Sequence, residues 1–110
     1  MKVYIAGKIT GDRKYRRKFL DVAKRFQEQF DVPLNPAVLP DGLEEADYMR
    51  ICMAMLDSAD AVFMLKDWQQ SRGATLEHAY AKRVGKTIFY EVPPRRKANE
   101  EILKDAGFEL

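Results

Sequence analysis

A chain of 110 residues is close to the common size of one domain, and 46% hydrophobic with 33% charged residues is ordinary for a water-soluble globular fold. A formal net charge of +2 argues against a bulk polyanion binder, and a lone cysteine, Cys52, rules out an intramolecular disulfide. One histidine and one cysteine without ligand spacing give no basis for a metal site, and no apolar run approaches the length needed to span a membrane.

Val3-Tyr4-Ile5-Ala6 is a short β-rich run that stops at Gly7 and predicts a buried strand. From Arg13 to Phe30, Phe19, Val22, Ala23, Phe26 and Phe30 recur at three- and four-residue spacing, which predicts a helix with one apolar stripe and a basic opposite face. Val32-Pro33-Leu34-Asn35 predicts a second strand at a sheet edge, because proline cannot donate to the ladder. Pro36 to Leu43 is a turn-rich loop. A helix from about Glu44 to Asp57 is expected to turn Tyr48, Ile51, Met55 and Leu56 inward. Ala61-Val62-Phe63-Met64-Leu65 is a continuous apolar run, as in a central parallel strand covered on both faces. Lys66 to Arg72 predicts a loop, and a third helix runs from about Gly73 to Val84, closed at Gly85 by the left-handed backbone glycine tolerates. Thr87 to Tyr90 predicts the fourth strand, and Asn99 to Asp105 a short terminal helix.

This alternation predicts an α/β fold: a three-layer, Rossmann-like (flavodoxin-like) parallel sheet of four to five strands with helices on both faces. A single domain over residues 1–110 is expected, with its core at about 1–91 and a tail at 92–110. Ligands of such sheets bind beyond the carboxyl ends of the strands, where strand order reverses. The loops 7–12 and 66–72 and the residues after Tyr90 should meet there. The run Arg13, Lys14, Arg16, Arg17 and Lys18 reads as a solvated helix face, and Arg95, Arg96 and Lys97 as a solvated tail. Neither has the aromatic interleaving of a single-strand platform, so no nucleic-acid partner is expected. Without an apolar leader after Met1, the expected location is cytoplasmic.

Ser71-Arg72-Gly73-Ala74-Thr75-Leu76-Glu77 lies between a buried strand and a helix. A helix start rich in small residues can receive an anion. Ser71 can cap the helix and donate its hydroxyl to a phosphate oxygen. Glu77, read as near the first turn, would be favoured in its ionised form by the helix dipole, as suits a nucleophile; the same pattern describes an inert capped helix equally well. Gly7 and Gly11 bend the first loop, but the spacing is neither a dinucleotide fingerprint nor a P-loop, and no cofactor is expected. Lys8 could meet a phosphate as a point charge, and Tyr4 could reach a sugar or a carboxylate. Asp67 reads as a turn aspartate or a proton donor to a leaving base. Trp68 could stack on a base, lid the core or fill an interface. His78 is rotated away from Glu77 on the helix.

Together, these segments resemble the nucleoside 2-deoxyribosyltransferase-like superfamily, and in detail its small phage and bacterial branch. The likeness is carried by Tyr4-Ile5-Ala6-Gly7, Asn35-Pro36, Leu39-Pro40, Gly42-Leu43, Asp47-Tyr48-Met49-Arg50, Ala59-Asp60-Ala61-Val62, Trp68, Ser71-Arg72-Gly73-Ala74, Glu77 and Gly85-Lys86, over roughly residues 1 to 91. The resemblance implies cleavage of a nucleoside or nucleotide N-glycosidic bond. The residue matching Glu77 would be the nucleophile on the anomeric carbon, oriented by Tyr4, with transfer to a base or to water. A serine at position 71 is similar to the nucleoside 5′-monophosphate N-glycosidases rather than the base-exchanging transferases, which implies a phosphorylated ligand near Lys8, Ser71, Arg72 and Gly73. The resemblance also implies a homodimer or larger assembly in which a neighbour's Arg95 or Asn99 completes the site.

Two positions depart from that pattern. The family places an aspartate on the helix eight residues ahead of Asp60, and here that residue is Cys52, a thiol that is mostly neutral at its usual pKa. Asp47 and Asp57 are the nearby carboxylates that could stand in. The hydrolases also carry an arginine where this chain has Thr10. The alternative to an N-glycosidase is therefore a non-catalytic nucleotide-binding module that has lost the helix aspartate.

Overall fold

The computed structural model describes residues 1–94, so the expected helix from Asn99 to Asp105 and the candidate partner residues Arg95 and Asn99 lie outside the described residues. In chain order the elements are β1 (Lys2–Ala6), α1 (Tyr15–Glu28), β2 (Val32–Leu34), α2 (Glu45–Ser58), β3 (Ala61–Met64), α3 (Arg72–Arg83) and β4 (Thr87–Tyr90). Short 3₁₀ turns interrupt the loops at Pro36–Val38 and Trp68–Gln70. All strand pairs are parallel, in the order β2-β1-β3-β4, with Tyr4 opposite Leu34 on one side and Val62 on the other. Pro33 stands on an edge strand, where its missing N–H costs the ladder nothing.

Strand alternation divides the core into two layers. Tyr4, Ala6, Val62 and Met64 face Leu56 of α2 and Ala74 and Ala81 of α3. Ile5, with Phe63 and Leu65, faces Phe19, Val22 and Ala23 of α1. Burying such side chains contributes about 1.5–3 kcal/mol each. The chain thus leaves β1 towards β2 over one face and crosses back to β3 over the other. The reversal falls between the carboxyl ends of β1 and β3, where the loops carrying Gly7 and Ser71 emerge. Gly7 is needed there for packing: a Cβ on it would lie 2.6 Å from Leu65 Cδ1 and 2.9 Å from Leu65 Cβ.

Two side chains expected inside are not. Ile51 is exposed on α2, whose inward stripe narrows to Leu56 with Cys52 and Met55 packed beside it. Phe30 is 95% exposed, with φ at 63°. Helix α1 ends at Glu28, and the amides of Phe30 and Asp31 bond back to the carbonyls of Gln27 (3.0 Å) and Phe26 (3.0 Å). That is the 5→2 and 6→1 pattern of a Schellman cap, with Phe30 in the left-handed slot. The same pattern closes α3, where Gly85, with φ at 78°, takes the slot as expected. Helix α2 opens with a reciprocal capping box between Glu44 and Asp47.

Candidate functional site

A cleft of about 940 Å³ opens at the reversal point, within the range of small-molecule sites. Its floor is Tyr4 and Glu77, from β1 and α3. One rim is the loop from Gly7 to Asp12, another the turn from Gln70 to Gly73, and the far wall is the loop after β2 together with Tyr48, Met49 and Cys52 of α2.

At the floor, the Tyr4 hydroxyl donates a short hydrogen bond to Glu77 Oε2. Tyr4 is 1% exposed and Glu77 7%, so both meet the cleft from an almost dry position. Burial, then the neighbouring Glu77 and Cys52, hold the Tyr4 phenol well above its ordinary pKa, and it remains a donor. Burial raises Glu77 to about 7, against the lowering effect of the Tyr4 bond. The helix dipole, expected from the sequence to favour the charged form, does not govern this carboxyl. Arg72 to Thr75 fill the first turn of α3, which holds no acidic residue, and Glu77 lies in the second turn, where the helix field has faded. Desolvation governs its charge instead.

Ser71 is the N-cap of α3, its Oγ accepting from the Ala74 amide at 3.1 Å. The Thr75 amide goes to the Ser71 carbonyl, leaving the Arg72 and Gly73 amides at the cleft edge with no intrachain acceptor among the described residues. Lys8, Arg72, Gly73 and Thr10 line the cleft, and so does Arg13, a member of the basic run expected on a solvated face. Asp67 is not at the cleft. One of its oxygens accepts the Lys8 amide at 3.0 Å and the other accepts from Lys18 Nζ at 2.6 Å. Trp68 also stands apart, stacked on His78 with ring centroids 4.2 Å apart, while His78 Nε2 lies 2.7 Å from the Tyr90 hydroxyl. The described residues after Tyr90, 91–94, are tied to β3 through the Glu91 amide and the Met64 carbonyl, and they do not line the cleft.

Cys52 does occupy the cleft, against the Tyr4 hydroxyl and near Glu77. Burial pushes its thiol up and Glu77 adds to that, while the bond with Tyr4 pulls it down; the net effect is upward, so the thiol is neutral near pH 7. Neither nearby carboxylate replaces the missing aspartate. Asp47 is held by the Glu44 amide and Arg50, and Asp57 accepts from the Tyr80 hydroxyl at 2.6 Å, away from the cleft. Among the described residues no cluster of three or more metal-ligating side chains occurs, and no helix is long and apolar enough to cross a membrane.

The α/β architecture is a nucleoside 2-deoxyribosyltransferase-like fold. The structure described as 2-desoxiribosyltransferase from Leishmania mexicana matches with a TM-score of 0.69 at 18% identity, covering 99% of this chain and 73% of that one. The chain belongs to the family described as Domain of unknown function (DUF4406), whose model matches residues 1–90. No curated protein matches it.

Proposed function

We propose that the cleft takes a nucleotide and breaks its base–sugar bond through Glu77, as an N-glycosidase or deoxyribosyltransferase. The observation that carries this reading is the buried Tyr4–Glu77 hydrogen bond on the floor of the cleft. A carboxylate oxygen held by a permanent donor is oriented without being neutralised. With a pKa of about 7, Glu77 is ionised in a large fraction of molecules at neutral pH and little solvated, which suits attack on a sugar carbon. In the reaction, a Glu77 oxygen bonds to the anomeric carbon as the carbon–nitrogen bond breaks. The base departs with the bonding pair and takes up a proton. Water, or a second base, then displaces the ester and returns the carboxylate. The unclaimed amides of Arg72 and Gly73, the Ser71 hydroxyl and the Lys8 ammonium favour a phosphorylated sugar over a free nucleoside.

Base release from a panel of nucleosides and nucleoside 5′-monophosphates, followed by chromatography, tests this. Wild type should release base from at least one monophosphate, and Glu77→Gln should lower the rate by roughly a thousandfold or more while remaining folded. Release that survives the substitution refutes the nucleophile. The second reading, a nucleotide-binding module without turnover, is favoured by one observation: the neutral Cys52 thiol where a carboxylate is expected. Thermal stabilisation by nucleotides without base release selects it.

A further inference from the structure

Helix α1 opens against its own dipole. Its first turn is Tyr15, Arg16, Arg17 and Lys18, with no acidic residue, although the first amides of a helix favour negative charge. A break with a local rule is expected where side chains serve something other than their own helix. Two of these three cations reach the rims of the cleft. Arg16 donates to the Ala37 carbonyl at 2.8 Å, the Leu39 carbonyl at 3.3 Å and Asp41 at 3.0 Å, fixing the far wall. Lys18 turns the other way. Its ammonium donates to the Lys8 carbonyl at 2.8 Å, Asp12 Oδ2 at 2.6 Å and Asp67 Oδ2 at 2.6 Å, which uses all three of its hydrogens. Asp67 Oδ1 closes the ring by accepting the Lys8 amide at 3.0 Å.

We propose that Lys18 is a positioning residue of the cleft, holding the Lys8–Asp12 rim through Asp12 and Asp67 in the geometry that receives the ligand's phosphate. The ligand in this statement rests on the nucleotide reading of the cleft; the clamp itself does not. The three side chains are 21%, 27% and 18% exposed, so the pairs are shielded enough to hold a loop that surface pairs would not. Within the rim Gly11, with φ at 83°, takes a left-handed turn that only glycine adopts freely, and the clamp ties the residues on either side of it. Burial alone would lower the Lys18 pKa, but bonds to Asp12 and Asp67 more than offset it, and Asp12 lies below its ordinary value chiefly through the bond to Lys18.

Charge and geometry can be separated. Lys18 and Arg16 neutralise Asp12 and Asp41, both of which line the cleft, while Lys8, Arg13 and Arg72 line it without a carboxylate partner among the described residues. Lys18→Met removes both the clamp and a positive charge. Asp67→Ala removes both the Lys8 and the Lys18 acceptors of the clamp but makes the region more positive, so simple attraction would tighten phosphate binding where lost positioning weakens it. Hydrogen exchange of the free protein and calorimetric binding of 2′-deoxyadenosine 5′-monophosphate are compared for both variants, with Lys18→Arg as the conservative control. In both loss variants, exchange at the Lys8 amide should rise, and the dissociation constant should rise, each by about tenfold or more, while β3 and α3 amides keep their protection. Lys18→Arg should recover most of both. Unchanged exchange at Lys8, or tighter binding by Asp67→Ala, overturns the proposal. If Lys18→Met does not fold, Asp12→Ala beside Asp67→Ala makes the same comparison. A wild type that binds neither this probe nor any other monophosphate of the base-release panel ends the nucleotide reading, and the exchange data alone then decide whether Lys18 orders the rim.

Discussion

Replacing Glu77 by glutamine should make the protein respond differently to pH, by an amount that follows from burial. The folded carboxyl has a pKa of about 7 against an ordinary value of 4.5, and the group is 7% exposed. A folded pKa above the unfolded one means that the native state holds the proton more tightly. Its contribution to stability is fully present below pH 4.5 and is lost as pH rises through about 7. At about 1.4 kcal/mol per pH unit, this gap corresponds to about 3 kcal/mol, an upper figure since the cleft admits some water. A glutamine side chain at this position cannot ionise and carries no such penalty, whereas the remaining titrations are common to both proteins and cancel in the difference. Urea denaturation of wild type and Glu77→Gln across pH 4.5 to 8 should therefore show wild type losing about 3 kcal/mol relative to the variant, most of it by pH 7. The buried carboxylate would be costly to fold and useful to keep. A difference that stays flat with pH, or that moves in favour of wild type as pH rises, refutes the reasoning and restores the picture of a charge stabilised by the helix end.

Tyr4→Phe deletes the donor that holds Glu77 down, so the Glu77 midpoint should climb further above 7 by about one pH unit; carbon NMR of the glutamate carboxyls reads it, and an unchanged midpoint contradicts the bond's role. Phe30→Gly should raise stability by up to about 1 kcal/mol in thermal denaturation, because the left-handed slot strains an L side chain that makes almost no contact; a destabilised variant would mean that Phe30 packs on something.

What could be read in the sequence was whatever had a local cause. Strand cores announced themselves as apolar runs, and a parallel sheet with helices on both faces follows from their alternation with helices, whereas the 2-1-3-4 order is seen only in the structure. Ser71 as a cap and Gly85 as a left-handed stop rest on the chemistry of single residues. Phe30 falls outside the core because periodicity carries the α1 stripe one turn too far, and a phenylalanine gives no signal that it will fill a glycine's slot. Glu77 sits in the expected segment but under a different governing force: dipole arguments need only the helix start, while desolvation depends on what covers the residue, here Tyr4 and the α2 layer. The Lys18 clamp joins partners 6, 10 and 49 residues apart and has no periodic signature. Its one trace in the sequence is a basic first turn, easily read as a solvated face.

Cys52 bears on both functional readings through the same proton. A second carboxylate in its place would sit against Tyr4 and raise Glu77 further by like-charge repulsion, and the two would titrate as a coupled pair with one acid and one base. A neutral thiol removes that repulsion, so Glu77 ionises more readily than it would beside an aspartate, and the cleft keeps a carboxylate fit for the proposed nucleophile. What it loses is a proton donor. Tyr4 is committed to Glu77, Asp12 is held ionised by Lys18, and Asp41 is bonded to Arg16. Under the glycosidase reading, then, Glu45 is the acidic side chain of the cleft left to give the departing base a proton, and bases able to leave unprotonated should turn over fastest. Under the binding reading, the same deficit leaves the nucleotide seated against an ionised Glu77 and intact. If a nucleotide occupies the cleft as proposed, the chemistry of position 52 bears on which fate follows, and the Tyr4–Glu77 pair is where the sugar is expected in either case.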